Sequence, residues 1–173
     1  KGGNLTQWKS NLVIDKICTE AAEMKALLAA TKQQYAPDSR VAIYELEAKK
    51  ADNQWIIKGK VDKAELKANV LQELKKANVA VVDSIAVLEF TKEKPWGLVK
   101  LSIASLRTAG KHPAEMATQA IMGTPVKILE HAGDWARVQT PDQYIAYVPE
   151  NSLYQMTQAQ LDALRQSTRY VVT

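Results

Sequence analysis

Apolar residues recur at three- and four-residue steps through Leu5, Trp8, Leu12, Ile17 (or Cys18), Ala21, Met24 and Leu28. That is the period of one helix face, so residues 4–35 are predicted as a helix that Ser10-Asn11 would divide if anything does. Ala36-Pro37-Asp38-Ser39 reads as a turn, because the residue before a proline is pushed out of helical geometry. The period then changes. Val41, Ile43 and Leu46 open a strand, Asp52-Asn53 marks a turn, and Trp55–Val61 forms the second strand of a hairpin. Asp62 with Glu65 approximates a capping box ahead of a helix whose apolar face is Leu66, Val70, Leu71 and Leu74. Val79 to Phe90 returns as a strand. A helix crossing between two strands covers one sheet face, so this part is predicted as a small βαβ-type α+β layer led by a long helix.

Thr91-Lys92-Glu93-Lys94-Pro95 is charged, carries a proline and lacks periodicity, which marks it as a boundary. Beyond it Val99, Leu101 and Ile103 alternate. Val126–Glu130, Trp135–Gln139 and Tyr144–Val148 then follow as short strands, separated by Ala132-Gly133-Asp134 and Pro141-Asp142-Gln143. Strands at this spacing predict a small barrel. Thr157 is placed to cap a helix over Gln158–Gln166, and Tyr170–Thr173 reads as the start of a further strand. The expected division is a helical segment over 1–37, a small α+β domain over 38–94, a barrel over 95–156, and a helix with the beginning of a strand over 157–173.

Composition removes several functions. Hydrophobic residues make up 46% and charged residues 24% of the 173, a globular balance that argues against disorder. No apolar run reaches the roughly 18 residues of a membrane helix. The net charge of +4 is spread over both halves without a polybasic tract, so no nucleic-acid partner is expected. A single cysteine, Cys18, excludes an intrachain disulfide and a multi-cysteine zinc site. No signal peptide follows Lys1-Gly2-Gly3, which is read as a flexible start. The chain is expected to be cytoplasmic or the mature form of an exported protein.

Candidate chemistry is sparse. Cys18 sits mid-helix on or beside the apolar stripe and is read as a packing residue rather than a nucleophile. His112 and His131 lack a third ligand at metal spacing. No phosphate-cradling loop, serine-hydrolase motif or zinc-protease motif occurs. Neither metal nor cofactor is expected. Trp135 is read as core, Tyr147 stays open between core and a stacking surface, and Trp96 is read as an adhesive between the two domains. Arg107 is read as a salt-bridge partner for Asp134 or Glu115. The lysine face formed by Lys63, Lys67, Lys75 and Lys76 is read as solvated surface.

The second half carries a resemblance. Leu101–Arg107, His112-Pro113-Ala114-Glu115-Met116, Thr118–Val126, Gly133-Asp134-Trp135 and Gln139–Val148 together resemble a bacterial SH3-like domain. More narrowly, they resemble the version placed ahead of NlpC-type cysteine peptidases that cut peptidoglycan stem peptides between γ-D-glutamate and the diamino acid. Tyr35–Ile43 and Val82–Leu88 are similar to a BON-like lead domain of such proteins. The resemblance implies an acidic residue at Glu115 and a tyrosine at Tyr144 that receive the free N-terminal amine of L-Ala; Tyr147 and Arg107 are counted with them as candidate substrate-binding residues. An ammonium against a carboxylate makes a charge-assisted bond that an acylated amine cannot replace. It also implies a cell-envelope or periplasmic location, peptidoglycan stem peptides as ligands, and a Cys-His peptidase domain downstream. This chain is expected to lack that domain and to have no hydrolase activity of its own. The alternative is an envelope protein–protein scaffold. Two departures stand out: where the family has Asp-Gly-Tyr-Ile-Gly-Trp, this sequence has Asp142-Gln143-Tyr144-Ile145-Ala146-Tyr147, so both glycines are replaced and the tryptophan becomes tyrosine.

Overall fold

A computed structural model describes residues 5–52, 54–88 and 93–168, with backbone alone over 5–18. The expected segments at 1–3, 89–92 and 169–173, the residue Asn53 and the side chain of Cys18 lie outside the described residues. The fold is α+β, and the chain divides into two compact units. The first comprises Lys1–Pro37 with Tyr44–Val87, and the second Asp38–Ile43 with Leu88–Thr173.

The first unit opens with α1 (Leu5–Tyr35), followed by β1 (Tyr44–Ala51), β2 (Gln54–Val61), α2 (Ala64–Lys76) and β3 (Val81–Val87). The strands form one sheet in the order β1-β2-β3, with β1 antiparallel and β3 parallel to β2. The βαβ expectation holds. In β2 the buried Ile57 and Val61 share one face, and α2 turns Leu66, Val70 and Leu74 inward at four-residue steps. Helix α1 is tied to β1 at two levels. Lys50 pairs with Glu20 near the hairpin end. At the other end the Tyr44 hydroxyl reaches Thr31 Oγ1 at 2.5 Å and donates to the Leu28 carbonyl at 2.9 Å. That keeps a buried phenol satisfied inside the layer.

The expected capping box at Asp62 does not form. Helix α2 begins one residue later, with Lys63 at its N-cap and no side-chain cap bond. Packing of Leu66, Val70 and Leu74 holds the helix, so the missing cap is tolerated. Its other end is closed well. Asn78 takes a left-handed φ of 59°, Val79 N–H reaches the Leu74 carbonyl at 3.2 Å, and Asn78 N–H reaches that of Lys75 at 3.0 Å. Those two bonds satisfy carbonyls that the helix leaves unpaired.

The second unit contains β4 (Trp96–Val99), β5 (Ile103–Arg107), β6 (Met116–Ile121), β7 (Pro125–Ala132), β8 (Trp135–Gln139) and β9 (Ile145–Pro149), then a 3₁₀ turn (Glu150–Ser152), β10 (Leu153–Met156) and α3 (Gln158–Gln166). The sheet order is β10-β4-β7-β8-β9-β5-β6. All seven strands supply one core, from Leu153 and Val99 through Val126, Ile128, Ala136, Val138, Ala146 and Val148 to Ala104, Leu106 and Ala120. Only a sheet curled on itself can place all of these side chains on one inner face. Leu101 and Ile103 do not continue one alternating strand. The chain bends between β4 and β5, and both side chains are exposed.

Helix α3 starts as expected. The Thr157 hydroxyl accepts from Gln160 N–H at 3.2 Å, and the Gln160 side chain accepts from Thr157 N–H at 2.9 Å. Trp96 holds this helix to the barrel. Its indole N–H donates to Gln158 Oε1 at 2.6 Å, and its ring lies within 6 Å of the Lys127 and Arg165 cations (5.9 and 5.8 Å). These contacts of the tryptophan read as an adhesive between domains lie within the second unit.

Candidate functional site

The hairpin between β5 and β6, residues 108–115, is closed at its neck by two bonds. Thr108 N–H donates to the Glu115 carbonyl at 2.9 Å, and Arg107 Nη1 donates to the Ala114 carbonyl at 2.7 Å. The ion pair expected from Arg107 to Asp134 or Glu115 is therefore replaced. The returning hairpin brings a carbonyl within reach of the guanidinium, and that carbonyl needs a donor. The Glu115 side chain is exposed, and it has no hydrogen bond or ion pair among the described residues.

Strand register brings two of the expected residues together. Tyr147 on β9 lies opposite Arg107 on β5 and opposite Arg137 on β8. The Arg137 guanidinium sits 5.3 Å from the Tyr147 ring centroid, a cation–π distance. Arg137 Nη1 also lies 3.9 Å from Glu130 Oε2. Tyr147 is thus sandwiched on the outward side of the sheet, away from inward-facing Ala146 and Val148.

The hairpin folds over this outward side. A Cβ at Gly110 would stand 3.3 Å from Trp135 Cβ and 3.4 Å from Tyr147 Cδ1, and the His112 ring meets Trp135 edge-on at 5.1 Å. Trp135 is buried, as expected, but outside the shared inner cluster. It packs beneath the hairpin and not in the barrel interior. Sequence reasoning missed Arg137 and Gly110. Arg137 was legible in part, since it is two residues beyond Trp135 on one strand. Gly110 was not, because its role depends on where an irregular hairpin lands.

Tyr144 lies in the turn between β8 and β9. Thr140 N–H and Oγ1 both donate to its carbonyl, at 2.9 and 3.2 Å. The next residue is held by Ile145 N–H donating to the Arg40 carbonyl at 2.7 Å. Arg40 in turn grips Asp38 through Nε and Nη2 at 3.0 and 2.8 Å, which holds the Asp38 carboxyl down to about 2. No hydrogen bond or ion pair joins the Glu115 and Tyr144 side chains. They stand on separate turns, connected through the Arg107–Tyr147 register.

The two glycine replacements differ in consequence. Gln143 carries φ +73°, the left-handed conformation that glycine adopts freely. Ala146 instead points inward and is 1% exposed, where a small side chain fills space and a strand geometry suits any residue. Gln143→Gly is expected to raise stability by about 1 kcal/mol, because the strain is local to the backbone. A lower urea midpoint for this variant would refute that account.

Beside the hairpin a cavity of about 640 Å³ is lined by His112, Asp134, Trp135, Pro149, Glu150 and Asn151. Glu150 is engaged there by His131 Nδ1 and by Gln155 Nε2, both at 2.7 Å. Among the described residues no cluster of three or more His, Cys, Asp or Glu side chains is placed to hold a metal. Among the described residues no helix is long and apolar enough to cross a membrane. A larger groove, about 720 Å³, lies in the first unit against Leu28, Tyr44, Leu46 and Trp55, and contains none of the four expected site residues.

A comparison with curated proteins gives no match. Residues 106–153 match the family described as bacterial dipeptidyl-peptidase Sh3 domain. The matched stretch runs from the end of β5 to the first residue of β10. It includes Arg107, Glu115, Tyr144 and Tyr147. The chain therefore carries a bacterial SH3-like domain of the peptidase-associated kind.

Proposed function

We propose that the barrel is the recognition part of a peptidoglycan stem-peptide hydrolase of the NlpC type, and that it receives the free N-terminal L-Ala of the peptide. In this reading the first unit is a BON-like lead domain, the chain itself is non-catalytic, and its setting is the cell envelope. One observation carries the reading most. Glu115 offers an exposed carboxylate without an internal partner, on a hairpin that Arg107 pins at its neck. A carboxylate held on a pinned element suits an ammonium, since little ordering remains to be lost on binding. Tyr144 supplies a phenol on a turn that Thr140 and Arg40 fix from both sides. The peptidase-associated match over these same residues supports a peptide as ligand.

Calorimetric titration with L-Ala-γ-D-Glu-diamino acid tests it. Heat is expected with the free amine and not with the N-acetylated peptide. Glu115→Ala is expected to weaken binding about tenfold or more, the scale of a charge-assisted bond worth roughly 1.5–3 kcal/mol. Tyr144→Phe is expected to have a smaller effect. Equal heats for both peptides, or unaltered affinity in both variants, would discard the assignment. The scaffold reading draws on a separate observation, the exposed apolar side chains at the far end of the β5–β6 hairpin.

A further inference from the structure

Of the side chains lining the cavity beside the β5–β6 hairpin, Trp135 is the buried one, at 8% exposed. Its indole N–H nevertheless has no hydrogen-bond partner among the described residues, and it is not sealed from solvent. An indole nitrogen only donates, so this N–H needs an acceptor from outside. The hairpin covers the ring itself: a Cβ at Gly110 would stand 3.3 Å from Trp135 Cγ, and the His112 ring meets the indole at 64°. The cavity therefore receives the edge of the indole, and no face is left on which a sugar ring could stack.

Two carboxylates stand on the same cavity, and backbone fixes where they stand. Trp135 pairs with Pro149 across β8 and β9, and Glu150 N–H donates to the Asp134 carbonyl at 2.9 Å, which ties the 3₁₀ turn to the β7–β8 turn. The Asp134 side chain is exposed and makes no hydrogen bond or ion pair among the described residues. His131 Nδ1 and Gln155 Nε2 both bond Glu150 at Oε1, each at 2.7 Å, so Oε2 carries none among the described residues. The cavity thus offers one buried donor and two carboxylates. Its ligand must bring an acceptor and a cation together.

We infer that this cavity binds an extended peptide segment through a basic side chain, with the cation held by Asp134 and Glu150 and a backbone carbonyl of the segment accepting from the Trp135 indole. A lysine or arginine residue carries both groups, a cation at its tip and carbonyls along its backbone. The volume of about 640 Å³ lies within the roughly 300–1,000 Å³ of small-ligand sites. Because the two turns are tied together, little ordering is lost on binding. The inference does not depend on an amine bound at Glu115.

Titration of the isotope-labelled full chain, followed by NMR at the Trp135 indole N–H, tests it. The probes are acetyl-Ala-Ala-Lys-Ala-Ala-amide and its arginine and norleucine counterparts, taken from about 10 μM to 5 mM, the range of transient binding. A basic peptide is expected to shift the indole resonance and to bind about tenfold more tightly than the norleucine peptide, the scale of a charge-assisted bond. Asp134→Asn and Glu150→Gln are each expected to weaken binding about five- to tenfold. Both keep the side-chain shape, and the same spectra show that they fold. Added salt, which needs no variant, is expected to weaken binding as well. An indole resonance unmoved by both basic peptides overturns the inference. So does an equal response to the norleucine peptide, an affinity unchanged in both variants, or an affinity indifferent to salt. The probes lack the free amine that Glu115 is proposed to receive, so their failure leaves that reading standing.

Discussion

Replacing Gly59 by alanine is expected to be the most damaging single change in the first unit, costing about 3–5 kcal/mol. Gly59 carries φ +135°, and a Cβ there would stand 1.8 Å from the Glu45 carbonyl oxygen. That atom belongs to backbone in the paired strand, so no side-chain rotation relieves the contact. β1 would have to move off β2. β2 is the central strand of the sheet and carries Ile57 and Val61, both fully buried. A loss of this size is a large share of the roughly 5–15 kcal/mol that holds a domain folded. Gly123→Ala is the control. Gly123 also has a positive φ, +83°, but nothing lies within 4 Å of its Cβ position, so its cost is confined to about 1–2 kcal/mol of backbone strain. Thermal and urea unfolding of both variants check the comparison. Equal losses would mean that backbone handedness, and not the approach of β1, decides the role of Gly59.

Ile128→Ala is expected to cost about 2–5 kcal/mol in the second unit, with Ile128→Val at roughly 0.5–1.5 kcal/mol. Ile128 is fully buried at the middle of β7, opposite Val138 on β8. Its N–H donates to the Pro95 carbonyl at 2.8 Å. The side chain sits inside a cluster fed by all seven strands, so surrounding residues cannot close a void without uncurling the sheet. If Glu115 and Tyr144 bind peptide, affinity in Ile128→Ala should fall only as the folded fraction falls, since both residues stand on turns outside the core. The urea midpoint checks the stability. An unchanged midpoint for the alanine variant would mean that the barrel core adapts to lost volume.

Much of this organisation was legible in residue order. Period-3.6 stripes located α1 and α2, and alternation with Gly133-Asp134 located the β7–β8 hairpin. Thr157 announced α3 through the chemistry of its hydroxyl. These signals are local: a cap, a turn and an amphipathic face each depend on residues within a few positions. The Asp62 box failed for the complementary reason. A local preference worth about 1 kcal/mol yields to the burial of Leu66, Val70 and Leu74.

The candidate site was legible only as residue types. Glu115, Tyr144, Tyr147 and Arg107 are visible in the order of the chain, and so is their likeness to a peptidase-associated barrel. Their mutual placement is not. Arg107 found a carbonyl instead of a carboxylate because of where a hairpin returns. Tyr147 gained Arg137 because β8 pairs with β9 in one register. Trp135 is buried under Gly110 and His112 and not in the barrel interior, since an irregular hairpin folds outward over it.

What residue order determined alone was the set of elements, their sequence along the chain, and the division between apolar and polar faces. Those follow from periodicity and from turn chemistry that acts over a few residues. Only the tertiary structure decided which strands pair, where their register shifts, and which outward-facing residues meet across strands. Such contacts join residues distant along the chain, and a shift of one residue in pairing would exchange every inward side chain for an outward one.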